Sequence, residues 1–147
     1  MLLYRWNKSS LDVLLGHPGG PYFKNRDGGA WSIPKGLVYD GEKIFDAAKR
    51  EFYEEVGFLP DGPFIKLSPI KQKKGKIVYC WACEGDFDLS KFKSQNFSLE
   101  WPPKSGEFQD FPELDKVEYF DLKSAMSKLI IHQRPFIEDL AKALGRN

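Results

Sequence analysis

Two hydrophobic rhythms run along this chain, a short-strand pattern at both ends of a central region and a helical period inside it. Residues 1–6 and 11–17 read as two strands joined by the polar turn Asn7-Lys8-Ser9-Ser10. Val13-Leu14-Leu15 has no polar break, which predicts a second strand buried on both faces. His17-Pro18-Gly19-Gly20-Pro21 ends it. The irregular stretch that follows, to Gly29, is either one wall of a binding site or a surface loop with its aromatics turned inward.

Farther on, residues 64–72 and 76–84 form a hairpin around Lys73-Lys74-Gly75, with 77–83 as a core strand. Residues 86–112 are polar and irregular, with one short strand over 97–101. Residues 117–120 make a strand, and Asp121 caps a helix reaching Ile130. A last amphipathic helix spans 134–144, with Pro135 in its first turn and Phe136, Ile137, Leu140, Ala141 and Leu144 on its apolar face. His132, between these helices, is read as structural.

The clearest helical period precedes Gly57. Phe45, Ala48, Phe52 and Val56 share one side at about 100° per residue, and Glu51, Glu54 and Glu55 share the adjacent one. Glu42 lies near the helix start, where negative charge suits the dipole, and Gly57 stands where a glycine commonly stops a helix. Arg50 precedes Glu54 by four residues and can pair with it. Like charges at this spacing cost roughly 0.2–0.5 kcal/mol per pair, a penalty that a divalent cation removes. Hard oxygen donors suit Mg²⁺ or Mn²⁺. Taken alone, the three glutamates read rather as a solvated acidic face, as most helical charge runs do.

Their setting changes that balance. Gly36, Glu42, Arg50-Glu51, Glu54-Glu55 and Gly57 stand at the spacings of the Nudix box, and residues 36–58 resemble that signature of the Nudix hydrolases. Phe52 and Phe58 replace the aliphatic residues usual there. The entry Trp31-Ser32-Ile33-Pro34-Lys35-Gly36 is similar to the branch containing dinucleoside polyphosphate hydrolases and bacterial-type, MutT-like nucleoside triphosphate pyrophosphohydrolases.

The resemblance implies an α/β fold, the Nudix α/β/α sandwich, with a central mixed sheet and a loop-helix-loop box against it. It implies metal-dependent hydrolysis of a phosphoanhydride bond in a nucleoside triphosphate or dinucleoside polyphosphate. Glu51, Glu54 and Glu55 would hold Mg²⁺, with Mn²⁺ able to substitute, and the Gly36 carbonyl would add a ligand. Glu51 or a downstream glutamate would be the base, with Glu107 and Glu113 as candidates for one further acid. Arg50 and Glu42 would orient the cluster, and Lys35 and Arg50 would meet the substrate. Two alternatives stand beside this: an RNA 5′-end pyrophosphohydrolase, and a nucleotide- or RNA-binding regulator without catalysis. The lysines at 71, 73, 74 and 76 motivate both.

Composition adds constraints. The 147 residues fit one domain, 1–147, able to bury a core. Lys plus Arg (22) against Asp plus Glu (21) leaves +1, no footprint for bulk nucleic-acid or membrane-surface binding. Cys80 and Cys83 lie in an apolar run, where a strand would point them to opposite faces. They read as buried thiols in a reducing compartment. With no secretory core and no membrane-spanning run, the expected location is the cytoplasm.

Overall fold

The computed structural model describes residues 1–35 and 38–146, without the side chain of Lys73. Gly36, the expected carbonyl ligand, therefore lies outside the described residues.

Strands β1 (Leu2–Asn7) and β2 (Ser10–Pro18) form the antiparallel centre of a five-stranded sheet. β3 (Phe64–Lys66) and β6 (Trp81–Glu84) extend it on one side, and β9 (Leu114–Asp121) on the other, in the order β3-β6-β1-β2-β9. Only β1 and β6 run parallel. A parallel pair needs a long crossover, and this one contains helix α1 (Ile44–Val56).

Three layers follow from how β1 and β2 alternate. Leu2, Tyr4, Val13 and Leu15 face a core shared with α2 (Leu122–Lys128) and α3 (Arg134–Ala143), through Ala125, Phe136, Ile137 and Leu140. Leu3 and Leu14 face the opposite core, with Phe52 and Val56 of α1. The uninterrupted Val13-Leu14-Leu15 run is thus buried on both faces. Cys80 joins the first core and Cys83 the second, both as free thiols.

Several elements differ from the sequence pattern. The expected 64–84 hairpin is split: β4 (Ile70–Lys71) pairs with β5 (Ile77–Val78) one residue out of register with the β3–β6 pairing. Ile77 is exposed, so burial begins at Cys80 rather than at 77. The 86–112 stretch holds a five-rung hairpin, β7 (Asn96–Glu100) with β8 (Phe108–Pro112): β7 is the short strand expected over 97–101, and β8 is the addition. Beside the backbone pairing, the half-buried rings of Phe97 and Phe111 pack across it, their centroids 6.1 Å apart. α2 stops at Lys128, short of Ile130, because the backbone of Ile130 turns to donate to the Trp31 carbonyl at 2.8 Å. Asp121 caps α2 as expected, accepting from Ser124 N–H at 2.8 Å. Among the described residues, no helix is long and apolar enough to cross a membrane.

Candidate active site

α1 ends where Gly57 takes a left-handed conformation, φ 88°, and its N–H donates to the Tyr53 carbonyl at 2.8 Å. Glycine adopts that cap with no Cβ penalty. The orphan carbonyls of the last turn are then met from outside the helix. Lys93 N–H donates to Val56 O at 3.0 Å, and Gln95 N–H donates to Glu54 O at 2.9 Å. Gln95 O in turn accepts Glu113 N–H at 2.8 Å, so a backbone relay ties Glu113 to the end of α1. Gly19 closes the other side: its N–H donates to Glu113 O at 3.0 Å. It approaches Pro112 so closely that a Cβ there would collide with the Pro112 carbonyl.

The result is a cleft of about 380 Å³ walled by Glu51, Glu54 and Glu55 of α1 and by Glu113. Lys35, Tyr39 and Gln95 complete its rim. Four carboxylates and one lysine therefore meet in a single concavity. Glu107 does not take part; it sits at the exposed tip of the β7–β8 hairpin, its N–H donating to Ser105 Oγ at 3.2 Å. Although its Gly19 hydrogen-bonds Glu113, the 18–30 loop lines none of the cleft among the described residues. His17 pins it instead, with Nδ1 2.8 Å from Asp115 Oδ1 and Nε2 2.5 Å from the Arg26 carbonyl. Tyr22 stacks edge-on against Trp101.

Arg50 organises the acids. Its Nε and Nη2 donate to Glu42 Oε2 and Oε1 at 2.8 and 2.9 Å, and Nη1 donates to Glu51 at 2.7 Å and Glu54 at 3.0 Å. The guanidinium also lies over the Tyr39 ring, 3.9 Å from its centroid. Arg50, then the Tyr39 N–H, hold the Glu42 carboxyl below the usual carboxylate range. The paired acids in turn hold Arg50 more firmly charged than a free arginine, Glu42 most of all.

Glu55 is different. It is 8% exposed, and its Oε2 is buried without a hydrogen-bond partner. Burial, then the charges of Glu51 and Glu113, push its pKa up to about 8. Burial and Glu51 likewise raise Glu113. Burial and the neighbouring Lys76 pull the Lys35 amine below its usual value, while Glu55 opposes that shift.

Among the described residues, no three His, Cys, Asp or Glu side chains form a ready metal cage. Two of the three expected metal ligands, Glu51 and Glu54, are turned toward Arg50 instead. The donor chemistry nonetheless fits a hard divalent cation. An orphaned, buried carboxylate oxygen beside two other acids is costly as it stands, and oxygen donors are what Mg²⁺ and Mn²⁺ accept.

Sequence reasoning placed Glu42, Arg50, Glu51, Glu54, Glu55 and Lys35, and the structure brings all six to one locus. Arg50 and Glu42 support the cleft rather than line it. Of the two downstream candidates only Glu113 reaches the cleft. Tyr39 and Gln95 were missed. Tyr39 lies inside the box, where aromatic stacking on Arg50 was a readable signal; Gln95 acts mainly through its backbone and left none.

Comparison with known proteins bears on this geometry. The NUDIX domain family matches residues 3–140. Nudix hydrolase 7 of Arabidopsis thaliana is 27% identical over 122 residues, covering 78% of this chain and 42% of that protein. An RNA pyrophosphohydrolase of Bartonella clarridgeiae is 28% identical over 127 residues, covering 76% of this chain and 68% of its own. The chain thus spans about two-fifths or less of the plant relatives' length. Among solved structures, an Ap4A hydrolase of C. elegans superposes with a TM-score of 0.64 at 18% identity, covering 98% and 95% of the two chains. The NUDIX domain of Shewanella oneidensis NrtR, complexed with ADP ribose, superposes with a TM-score of 0.66 at 15% identity, covering 97% and 84%. At such identities the likeness speaks for the fold.

Proposed function

This chain belongs to the Nudix family, and on that premise we propose that it hydrolyses a phosphoanhydride bond in a nucleoside triphosphate or dinucleoside polyphosphate with the help of Mg²⁺ or Mn²⁺. One observation carries the reading: the buried, unpartnered Glu55 oxygen, with Glu51 and Glu113 as charged neighbours in one cleft.

Glu51, Glu54 and Glu55 would hold the cation, joined by Glu113 and by the Gly36 carbonyl that lies outside the described residues. When bound, the cation neutralises polyphosphate charge and makes water a better nucleophile. The chain's own residues do the rest. Lys35, at the cleft rim, meets a phosphate oxygen. Glu42 and Arg50 are positioning residues: the guanidinium fixes where Glu51 and Glu54 point. Water attacks phosphorus, the anhydride P–O bond breaks, and a carboxylate takes the proton. Glu113 or Glu51 serves as that base. The raised pKa of Glu113 favours it, since a base works best near the operating pH. A reducing compartment suits the two buried thiols, and the cytoplasm is the proposed location.

A nucleotide panel assayed with Mg²⁺ and Mn²⁺, with product identification, tests the reading. Turnover that chelation abolishes supports it; no turnover of any nucleotide refutes it. Tight binding without turnover would instead mark a regulator. The exposed Lys71, Lys74 and Lys76 on the hairpin favour RNA as a second substrate class. Faster cleavage of triphosphorylated RNA than of free nucleotide would select it.

A further inference from the structure

The pairing of β2 with β9 slips by one residue beside the cleft. His17 faces Lys116, but Pro18 faces Leu114, so Asp115 is the extra residue of a β-bulge in β9. That slip decides which residue reaches the site. In an unbroken ladder Gly19 would stand opposite Leu114; here the Gly19 N–H donates to Glu113 O at 3.0 Å. Leu114 turns instead into the α1 core beside Val117, although a regular strand puts residues three apart on opposite faces. Its side chain lies on the bare backbone of Gly16, where a Cβ would come within 2.6 Å of Leu114 Cδ1.

One buried side chain fastens the bulge. His17 is 2% exposed, and its Nδ1 lies 2.8 Å from Asp115 Oδ1. Its Nε2 lies 2.5 Å from the Arg26 carbonyl, and its ring meets Trp31 edge-on, with centroids 5.2 Å apart. The Trp31 Nε1–H donates to Asp27 Oδ1 at 2.8 Å, so the segment that His17 grips is itself held. The bulge, the 18–30 loop and the segment leading into the box therefore converge on one imidazole. An apolar side chain would fill this space without burying two polar atoms. The polar contacts, not the volume, are what histidine adds.

We propose that His17 is a positioning residue for Glu113: by holding Asp115 it fixes the bulge that sets Glu113, rather than its neighbour, beside the carboxylates of α1. This role rests on the cleft being the hydrolytic site. His17 is not among the described residues that line the cleft, so it acts through the backbone of residues 113–115. Glu113 stands where two ladders meet: Gln95 ties it to β7, and Gly19 ties it to β2. Only the second tie depends on the bulge. Bulges beside active sites commonly re-aim a side chain in this way.

His17→Phe keeps a ring and removes both polar contacts, while Asp115→Ala breaks the pair from its exposed side. Both are assayed with Mg²⁺, well below Tm, on the nucleotide that the wild type turns over best. Each lowers kcat about 10–100-fold and leaves KM within about twofold. In a Glu113→Gln background the same changes cost less than about twofold, because the residue they position is gone. Amide exchange gives a readout without substrate. In both variants the Gly19 and Glu113 amides exchange at least about tenfold faster, while those of β1 and β2 keep their protection. Unchanged kcat in both variants, equal losses with and without Glu113, or unchanged exchange overturns the role of His17 and leaves the cleft reading standing. A wild type that turns over no nucleotide overturns both together.

Discussion

Glu42 and Arg50 stand eight residues apart, one ahead of α1 and one within it, yet they meet side-on through two hydrogen bonds of 2.8 and 2.9 Å. The same carboxylate accepts the Tyr39 N–H at 3.0 Å. One glutamate thus joins the box loop to the guanidinium that steers Glu51 and Glu54. Lysine carries the same charge but lacks the planar fork. Arg50→Lys is expected to lower turnover roughly 10–100-fold, the range typical of lost outer-shell support. Glu42→Gln should do the same, by leaving one oxygen to serve the three donors that the carboxylate accepts. Steady-state kinetics across a Mg²⁺ titration checks this; unchanged kinetics in both variants would leave Arg50 a mere surface ion pair.

Glu55 makes the fold pH-dependent. Its folded-state pKa of about 8 lies above the ordinary value of 4.5, so the folded chain keeps a proton that the unfolded chain releases. Stability falls as pH rises from about 4.5 toward about 8 and levels off above that. In EDTA at pH 9, Glu55→Gln should be more stable than wild type, by up to roughly 4 kcal/mol, with the two converging in mild acid. Denaturant melts across pH read this out. A wild type as stable at pH 9 as at pH 5 in EDTA contradicts the buried, unpartnered carboxylate.

Glu113 and Glu107 flank β8, with its five residues between them. Glu113→Gln is expected to reduce turnover by about 10²–10⁴-fold if it takes the proton, and less if it only assists the cation. Glu107→Gln should leave turnover unchanged. Paired kcat measurements decide; a loss at Glu107 with none at Glu113 reverses the assignment.

Gly57→Ala strains the left-handed cap and brings a Cβ to 3.2 Å from the Lys93 carbonyl. A cost of about 1–2 kcal/mol is expected, with a fall of several degrees in Tm. Because residues 93–95 relay the end of α1 to Glu113, turnover should fall below what the lost stability explains. A destabilised variant with full activity at low temperature would show that this relay does not position Glu113.

The regular parts of the chain were legible because local pattern dictated them. The apolar run 13–15 announced a strand buried twice over, and the 3.6-residue period of α1 put Phe52 and Val56 on one face and its glutamates on another. Of the β7–β8 hairpin, the first strand showed in the pattern and β8 did not: Phe108, Gln109 and Asp110 are all exposed, with no inward and outward alternation, so only pairing with β7 reveals it. The break in the β3–β6 hairpin is a register slip, which composition does not encode.

From residue types and spacing came the fold class, the box, and the acids that share one helix. Distance along the chain is nearly enough for those, since side chains three and four apart on a helix must be neighbours. Tertiary folding decided the remainder: that Glu113 rather than Glu107 closes the cleft, that Glu55 is buried where the other acids of the cleft are not, and that Lys35 lies at the rim. Burial and the meeting of distant segments are properties of the packed chain. No local pattern carries them.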